Sequence, residues 1–211
     1  VLGQRHVDVR NGLSAPPRLS FHHLYHMIKR PMWCFRMLKT KNRSFGNVVG
    51  HAKGVDDLSS LMSWVSSQFD QGLSWDYIEW IKKLWDGPIV LKGILDEEDA
   101  LIAKELDVQA IVVSNHGGRQ LDGTLSSIMA LKRIVDKVGN DLEIHFDGGV
   151  RSGQHVIKAL SLGAKAAFIG RPYLYGLGAL GKEGVRLAIN IIKNEMELTM
   201  ALCGVSKIEK F

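Results

Sequence analysis

The chain has 211 residues, of which 45% are hydrophobic and 23% are charged. This composition is typical of a globular domain with its own core, and it excludes an intrinsically disordered chain. The two cysteines, Cys34 and Cys203, form no C-x-x-C pair, which excludes a disulfide scaffold and a zinc ribbon, favours a reducing compartment and leaves no predicted metal site. No stretch has the roughly 18 apolar residues of a membrane-spanning helix, and the first residues lack the order of a secretory signal.

The net charge of +5 is concentrated in one segment. Between residues 9 and 55 there is no Asp or Glu, whereas nine cationic side chains occur there: Arg10, Arg18, Lys29, Arg30, Arg36, Lys39, Lys41, Arg43 and Lys53. The surrounding sequence is irregular and is interrupted by Gly and Pro. We therefore interpret residues 1–74 as a basic insertion between two strands rather than as a separate domain.

Large apolar residues in this insertion are spaced as on one face of a helix. Phe21, Leu24, Tyr25 and Ile28 occupy positions i, i+3, i+4 and i+7, and further apolar residues follow Pro31. An apolar face flanked by Lys and Arg is typical of a helix that lies in an anionic lipid surface. A nucleic-acid surface and a charged face packed on the protein itself are the alternatives. The large apolar side chains favour a membrane-contact segment, and no nucleic acid is expected as a partner.

From residue 75 onward, short apolar runs alternate with amphipathic stretches. Strands are predicted at residues 88–93, 110–115, 142–147 and 166–170, and the first of them is a buried run. Helices are predicted from the N-cap Asp96 to about residue 106, and at about 126–138, 152–162 and 182–202, with a turn at Arg171 and Pro172. Consecutive strand-helix units predict a parallel sheet covered by helices.

The position of the polar residues distinguishes a closed barrel from an open doubly wound sheet. Each predicted strand ends in polar residues: Lys92, then residues 114–119, 147–151 and 170–171. The active face of a barrel lies at the carboxyl ends of its strands, whereas an open sheet uses that edge only where the strand order reverses. Four polar ends in succession favour a (β/α)8 TIM barrel, of which residues 75–211 would supply four strand-helix units.

The strongest motif lies at residues 114–123 and reads SNHGGRQLDG. It resembles the active-site signature of the FMN-dependent L-2-hydroxyacid dehydrogenases, the family of L-lactate dehydrogenase, glycolate oxidase and mandelate dehydrogenase. Three further runs follow the family's order and spacing: IVLKGIL at 89–95, DGGVRSG at 147–153 and IGRP at 169–172. Residues 74–88 and the basic insertion are most similar to the respiratory L-lactate dehydrogenases. The resemblance covers the whole chain but only the C-terminal half of the family's length.

The resemblance implies an oxidoreductase with FMN as its cofactor and the C-terminal half of a TIM barrel as its fold. The implied reaction is FMN-dependent oxidation of an L-2-hydroxy acid, L-lactate to pyruvate, with electrons passed to a quinone or another respiratory acceptor. Two alternatives stay open at this point. The chain could be a truncated, catalytically inactive remnant of such an enzyme, or part of an oxidase that reduces oxygen.

Three residues are candidates for catalysis and substrate binding. Oxidation of a 2-hydroxy acid requires the removal of a proton near neutral pH, which suits an imidazole, and His116 is the expected base. A histidine in a Gly-rich loop is otherwise most often a surface residue. Arg119 lies on the same loop and could bind the substrate carboxylate with both arms of its guanidinium group. Arg5 matches a second substrate-binding arginine of the family, with an exposed charge near the terminus as the alternative.

Asp122 follows His116 by six residues, but we do not assign it as the group that orients the imidazole. In the family that carboxylate comes from an earlier Thr-Val-Asp strand, which we expect to precede this sequence.

Seven residues are predicted to bind the cofactor. A lysine at the end of a buried strand is costly unless its charge has a use, and the resemblance implies that Lys92 lies against the N1 and O2 edge of the flavin. Asp147 faces the ribityl chain in the family, and Ser114 could add a flavin hydrogen bond. A phosphate requires backbone amides, close approach and cations. The residues that supply them after the third and fourth strands are Gly148, Gly149, Arg151, Gly170 and Arg171.

The expected partners follow from the missing half of the barrel and from the basic insertion. The N-terminal half of the barrel would contribute four strands and two active-site tyrosines, and without it a half barrel has two open edges and an exposed core. We expect poor solubility or dimerisation of the isolated chain, and a homo-oligomer when the barrel is complete. The expected location is peripheral, on the cytoplasmic face of the cell membrane.

Overall fold

The computed structural model describes residues 10–11, 20–40, 46, 48, 64–65, 67–68, 70 and 72–211. The chain divides into two compact units, Val1–Leu73 and Ser74–Phe211. The predicted substrate-binding residue Arg5 lies outside the described residues.

Two helices are described in the first unit, α1 (Phe21–Ile28) and α2 (Pro31–Lys39). The sequence begins α1 with a capping box, in which the Ser20 hydroxyl accepts the His23 amide N–H at 3.4 Å and His23 Nδ1 accepts the Ser20 amide at 3.2 Å. The predicted apolar face on α1 is present and exposed to solvent. Phe21 is 93% exposed and Ile28 is 69% exposed.

The second unit contains four parallel strands in the order β1 (Val90–Ile94), β2 (Ala110–Ser114), β3 (Glu143–Asp147) and β4 (Ala166–Phe168). Helices precede and follow the strands, as α3 (Asp76–Leu84), α4 (Glu97–Glu105), α5 (Ser127–Val138), α6 (Gly153–Ser161), α7 (Arg171–Leu180) and α8 (Lys182–Leu202). Short 3₁₀ helices lie at His116–Gly118 and Ile208–Lys210. The four predicted strands are therefore present, in the arrangement of half a (β/α)8 barrel.

The core lies between one face of the sheet and the helices. Alternation along β3 buries Ile144 and Phe146, while Glu143 on the other face is exposed. Ile111 and Val113 of β2 and Leu131 of α5 belong to the same cluster and are fully buried. Each fully buried aliphatic side chain stabilises the fold by about 1.5 to 3 kcal/mol. This layer therefore fixes which face of the sheet packs against the helices and which face is left for the polar residues.

The prediction that residues 88–93 form a buried run is wrong. Val90 of β1 is 49% exposed, and Phe168 of β4 is 47% exposed. Within the described residues these two strands are the edges of the sheet, and each pairs with a single neighbour. In contrast, all five residues of the inner strand β2 are buried.

The helix start predicted after β1 is confirmed, whereas the turn predicted after β4 is not. The predicted N-cap Asp96 is confirmed, because its carboxylate accepts the Glu98 amide N–H at 2.9 Å. The turn predicted at Arg171 and Pro172 is instead the first turn of α7. Proline is tolerated there because the first amides of a helix have no intrahelical acceptor.

None of the helices in the described ranges has the length and apolar character needed to cross a bilayer.

Helices α7 and α8 pack with their backbones in contact at two glycines. A Cβ atom added to Gly184 would lie 1.9 Å from the carbonyl oxygen of Gly176, and one added to Gly176 would lie 2.2 Å from that of Gly184. Both carbonyl oxygens belong to the backbone and cannot move aside as a flexible side chain could. A side chain at either glycine would therefore force the two helices apart.

We expect Gly184→Ala to lower the free energy of unfolding by about 1 to 3 kcal/mol, because the added methyl group overpacks this crossing. The matched control is Gly178→Ala in the same helix pair, where an added Cβ has no atom within 4 Å. That control should be neutral or stabilising by up to about 1 kcal/mol, since alanine favours helix over glycine. Urea unfolding measures both, and equal stabilities would contradict the described crossing.

Candidate active site

The parallel register brings three polar side chains together at the carboxyl end of the sheet. Lys92 lies on β1, Ser114 ends β2 and Asp147 ends β3, where Ser114 and Asp147 are register partners. Lys92 Nζ lies 2.5 Å from Asp147 Oδ2 and 3.0 Å from Ser114 Oγ, and Ser114 Oγ lies 2.8 Å from the same Asp147 oxygen. The three side chains thus form one hydrogen-bonded cluster across three strands.

Ser114 is the buried centre of this cluster, with no exposed surface. A hydroxyl group has one donor and two acceptor positions. Ser114 donates to Asp147, and it accepts from Lys92 and from the backbone N–H of His116 at 3.1 Å. All three positions are therefore used, and the third hydrogen bond ties the candidate catalytic loop to the sheet.

The environment of Asp147 favours its ionised form. Partial burial raises the pKa of this carboxyl, but hydrogen bonds from Lys92 and Ser114 and electrostatic interactions with Lys92 and His116 outweigh that effect. The net result is a pKa below the usual value for aspartate. Because the carboxylate is 22% exposed and Lys92 is 47% exposed, the pair keeps one side open to whatever binds above the sheet.

His116 has an unusual backbone conformation in the loop after β2. Its φ angle is +54°, a left-handed value that few non-glycine residues adopt and that is enriched at functional sites. Asn115 supports the turn by accepting the Gly117 amide N–H at 3.0 Å. The His116 ring lies so close to Gly93 that a Cβ atom there would come within 2.7 Å of Cε1. The imidazole is exposed to solvent and packs against the backbone of β1.

A cavity of about 500 Å³ lies next to this loop. It is lined by four glycines and one of the predicted cofactor-binding cations, namely Gly117, Gly118, Gly148, Gly149 and Arg171. Gly148 has a φ angle of +121°, and a Cβ atom there would lie 2.5 Å from Ser127 Oγ. Arg171 Nη2 donates to the Gly117 carbonyl oxygen at 3.4 Å. None of the described residues that line the cavity is acidic.

This set of groups fits FMN. Glycine backbones, a guanidinium group and no lining carboxylate suit a phosphate, and Lys92 beside Asp147 supplies a cation and an acceptor at the neighbouring strand ends. The residues that could hold the cofactor are those predicted from the sequence: Lys92, Asp147, Gly148, Gly149, Arg151, Gly170 and Arg171.

The predicted site residues that the structure describes fall into four groups. His116, Lys92 and Asp147 lie together at the strand ends, and Gly148, Gly149 and Arg171 line the cavity. Two further residues are placed by their backbones, as Gly170 is the N-cap of α7 and the Arg151 amide donates to His155 Nδ1 at 3.1 Å. Arg119 follows the 3₁₀ helix on the exposed surface.

No hydrogen bond among the described residues joins Asp122 to the His116 imidazole. Its Oδ1 accepts the amide N–H of the adjacent Gly123 at 2.9 Å, as in a local turn. No group of three or more potential metal ligands occurs in the described ranges.

Several residues shape the site in roles that are not predicted from the sequence. The sequence predicts for Ser114 only a flavin contact. Its central position in the cluster depends on the strand register that pairs it with Asp147. Gly93, which packs under His116, carries no sequence signal beyond its place after Lys92. His155 and Lys158 line the cavity from α6, and their i, i+3 spacing after the Gly-Gly loop could have identified them.

Known proteins match the chain along its whole length. A profile of the FMN-dependent dehydrogenases matches residues 1–211. An L-lactate dehydrogenase of Caulobacter vibrioides strain NA1000 is 42% identical over 212 residues, which cover 99% of this chain and 54% of that relative. The chain therefore spans about half the length of the curated relatives it matches.

Solved structures give the same result for the fold. A monotopic membrane protein, (S)-mandelate dehydrogenase, matches with a TM-score of 0.87 and 30% identity over 99% of this chain and 55% of that chain. A mandelate oxidase variant with a monooxide FMN adduct matches with a TM-score of 0.62 and 43% identity over 64% of this chain and 43% of that chain. These matches confirm the predicted partial (β/α)8 barrel and the predicted FMN-dependent oxidoreductase family, and the chain belongs to the FMN-dependent dehydrogenases.

Proposed function

We propose that this chain is the catalytic C-terminal half of an enzyme that oxidises an L-2-hydroxy acid, with L-lactate as substrate and pyruvate as product. The observation that carries the proposal is the cluster of Lys92, Ser114 and Asp147, because it fixes His116 at the carboxyl end of the sheet. The 42% identity to an L-lactate dehydrogenase over 99% of this chain supports lactate over mandelate, since the mandelate dehydrogenase match of equal coverage is 30% identical.

His116 acts as the base in this proposal. An exposed imidazole held against the Gly93 backbone takes the proton from the substrate hydroxyl, a role that histidine side chains commonly have in enzymes. Arg119, three residues away on the same surface loop, binds the substrate carboxylate through its planar guanidinium group. Arg5 is proposed as a second carboxylate ligand on the basis of the family match.

The cofactor would be held by the strand-end cluster and by the cavity. Lys92 offers a positive charge close to the flavin, and Asp147 offers an acceptor for a hydroxyl group. Gly148, Gly149, Arg151, Gly170 and Arg171 are proposed for the phosphate. When bound, FMN supplies a two-electron acceptor. A quinone or another respiratory acceptor is proposed to receive the electrons.

The barrel would be completed by an N-terminal half with four more strands. Among the described residues β1 and β4 each lack a second strand neighbour, and Val90 and Phe168 on them are exposed. Both observations support this proposal, because an unpaired edge and exposed apolar side chains are normally covered. We also propose that the completed protein is a homo-oligomer.

Residues 1–74 are proposed to be an insertion that contacts the membrane peripherally, on its cytoplasmic face. Both described helices combine exposed apolar side chains with cations: Lys29 lies 4.2 Å from the centre of the Tyr25 ring, and Lys39 lies 4.3 Å from that of Phe35. Leu38 is 72% exposed. Exposed apolar groups with adjacent lysines suit an anionic lipid surface, and the solved mandelate dehydrogenase is described as monotopic.

The proposed reaction is tested with the chain co-expressed with the barrel half that completes it. In the absence of oxygen, L-lactate should reduce the flavin of this complex and bleach its yellow colour. His116→Gln should slow the reduction by about 10²- to 10⁴-fold, because the proton acceptor is lost. Stopped-flow absorbance of the flavin measures the rate. The flavin content of the variant, read from its spectrum, controls for an intact cofactor site.

The alternatives give different results in the same experiment. A complex that binds no flavin, or whose flavin L-lactate does not reduce, would identify an inactive remnant. Rapid reoxidation by oxygen without an added quinone would identify an oxidase.

The membrane contact is tested by sedimentation of the chain with lipid vesicles. We expect binding to vesicles that contain anionic phosphatidylserine and weaker binding to neutral vesicles. Leu24→Glu/Ile28→Glu should lose binding, because each introduced carboxylate would have to leave water when the apolar face of α1 enters the lipid. Leu198→Glu on α8, which is exposed but outside this unit, is the control. Equal binding of both variants would argue against this contact.

A further inference from the structure

Strand β1 contains a bulge at Gly93, beside the loop that carries His116. The register shifts between Lys92 and Ile94, which pair with consecutive residues of β2, so Gly93 is the extra residue of β1. The φ angle of Gly93 is +104°, in a region that residues with a side chain rarely adopt. Bulges are frequent next to active sites, where they change the direction of nearby groups. We call this feature the Gly93 bulge.

The imidazole of His116 occupies the space that a side chain at Gly93 would need. An ideal Cβ atom at Gly93 would lie 2.7 Å from Cε1, 3.6 Å from Nδ1 and 3.7 Å from Nε2 of the ring, and these are its three nearest atoms outside the adjoining chain. Carbon atoms in favourable contact are about 3.5 to 4.0 Å apart. The ring therefore could not keep this position beside a residue that has a Cβ atom.

The orientation of the ring leaves both of its nitrogen atoms available. Cε1 lies between Nδ1 and Nε2 in the imidazole and is the ring atom closest to that Cβ position, whereas the two nitrogens lie almost equally far from it. A C–H group forms only weak hydrogen bonds, so the contact with the Gly93 bulge uses neither nitrogen. One nitrogen can accept the substrate proton while the other is hydrogen-bonded by a group that fixes the tautomer.

The Gly93 bulge and Ser114 hold different parts of His116. Ser114 Oγ accepts the His116 amide N–H at 3.1 Å, which fixes the backbone of the loop. That hydrogen bond leaves the side-chain torsions of His116 free, and exposed side chains change rotamer within nanoseconds unless a contact restricts them. The contact with Gly93 supplies such a restriction. Because a base must lie within hydrogen-bond reach of the proton that it removes, a displaced ring would slow the reaction even with an intact cofactor site.

We propose that Gly93 is a positioning residue for the proton transfer, because the bulge and the missing side chain hold the His116 imidazole in place. This inference rests on the proposed function, since it takes His116 as the base. It adds that strand β1 sets the position of a ring that belongs to the loop after β2. Gly93 itself takes no part in the chemistry.

The test is a double-mutant cycle on the chain completed by its barrel half. Gly93→Ala should slow the reduction of the flavin by L-lactate by about 10²-fold, the effect of misplacing a reacting group by about 1 Å. The flavin spectrum of this variant should show an unchanged FMN content. In a His116→Ala background the same substitution should not change the rate further, because the ring that it displaces is absent.

Gly204→Ala, at a glycine that follows α8, is the matched control. The φ angle of Gly204 is +68°, and an added Cβ atom there has no atom within 4 Å. This substitution therefore introduces backbone strain without displacing a ring. It should lower the free energy of unfolding and leave the rate of flavin reduction unchanged.

The position of the ring can also be measured without turnover, by NMR of protein that contains isotope-labelled histidine. The Cε1–H proton of His116, assigned by its loss in His116→Ala, should show a nuclear Overhauser effect to the α protons of Gly93. Absence of this effect, an unchanged rate or a loss of FMN in Gly93→Ala, or an equal slowing in the His116→Ala background would each contradict the inference. If L-lactate does not reduce the flavin of the unmodified complex, the proposed function fails, and the NMR measurement alone decides whether Gly93 holds the ring.

Discussion

The arrangement of the candidate site depends on the hydroxyl of Ser114. It ends the inner strand β2, is completely buried, and uses its donor and both acceptor positions on groups from β1, β3 and the loop after β2. A buried hydroxyl with every position satisfied stabilises one arrangement, because any shift of a neighbouring strand leaves a polar group unpaired. The same hydroxyl binds the backbone amide of His116, the residue with the left-handed φ angle, and the ammonium group of Lys92.

Electrostatics reinforce this geometry. Asp147 remains ionised beside Lys92 despite its partial burial, and its folded-state pKa lies below that of the unfolded chain. Its contribution to stability is therefore complete above the unfolded pKa of about 3.9 and is lost as the pH falls through the lower folded value. Near neutral pH the lysine, the carboxylate and the hydroxyl form one hydrogen-bonded unit, to which the His116 amide is also bonded.

Much of the fold could be predicted from the sequence, since each strand and most helices have a local cause. Asp96 caps α4 as its position indicates, and the apolar alternation along β3 separates the core from the polar face. The His116 loop was identified by its motif. Other features depend on which strands are neighbours, and no local pattern contains that information. Examples are the exposed side chains of the edge strand β1, the register that pairs Ser114 with Asp147, and the contact of Gly93 with the imidazole. The first turn of α7 was missed because Arg and Pro suit both a turn and a helix start.

The central claim is that Ser114 holds the charged cluster together, and an NMR titration of the Asp147 carboxyl carbon tests it most directly. We predict that Asp147 titrates below an ordinary aspartate in the unmodified chain. Ser114→Ala should raise its pKa, because a hydrogen bond that favours the carboxylate is removed. An ordinary pKa in the unmodified chain, or an identical pKa in the variant, would contradict the account.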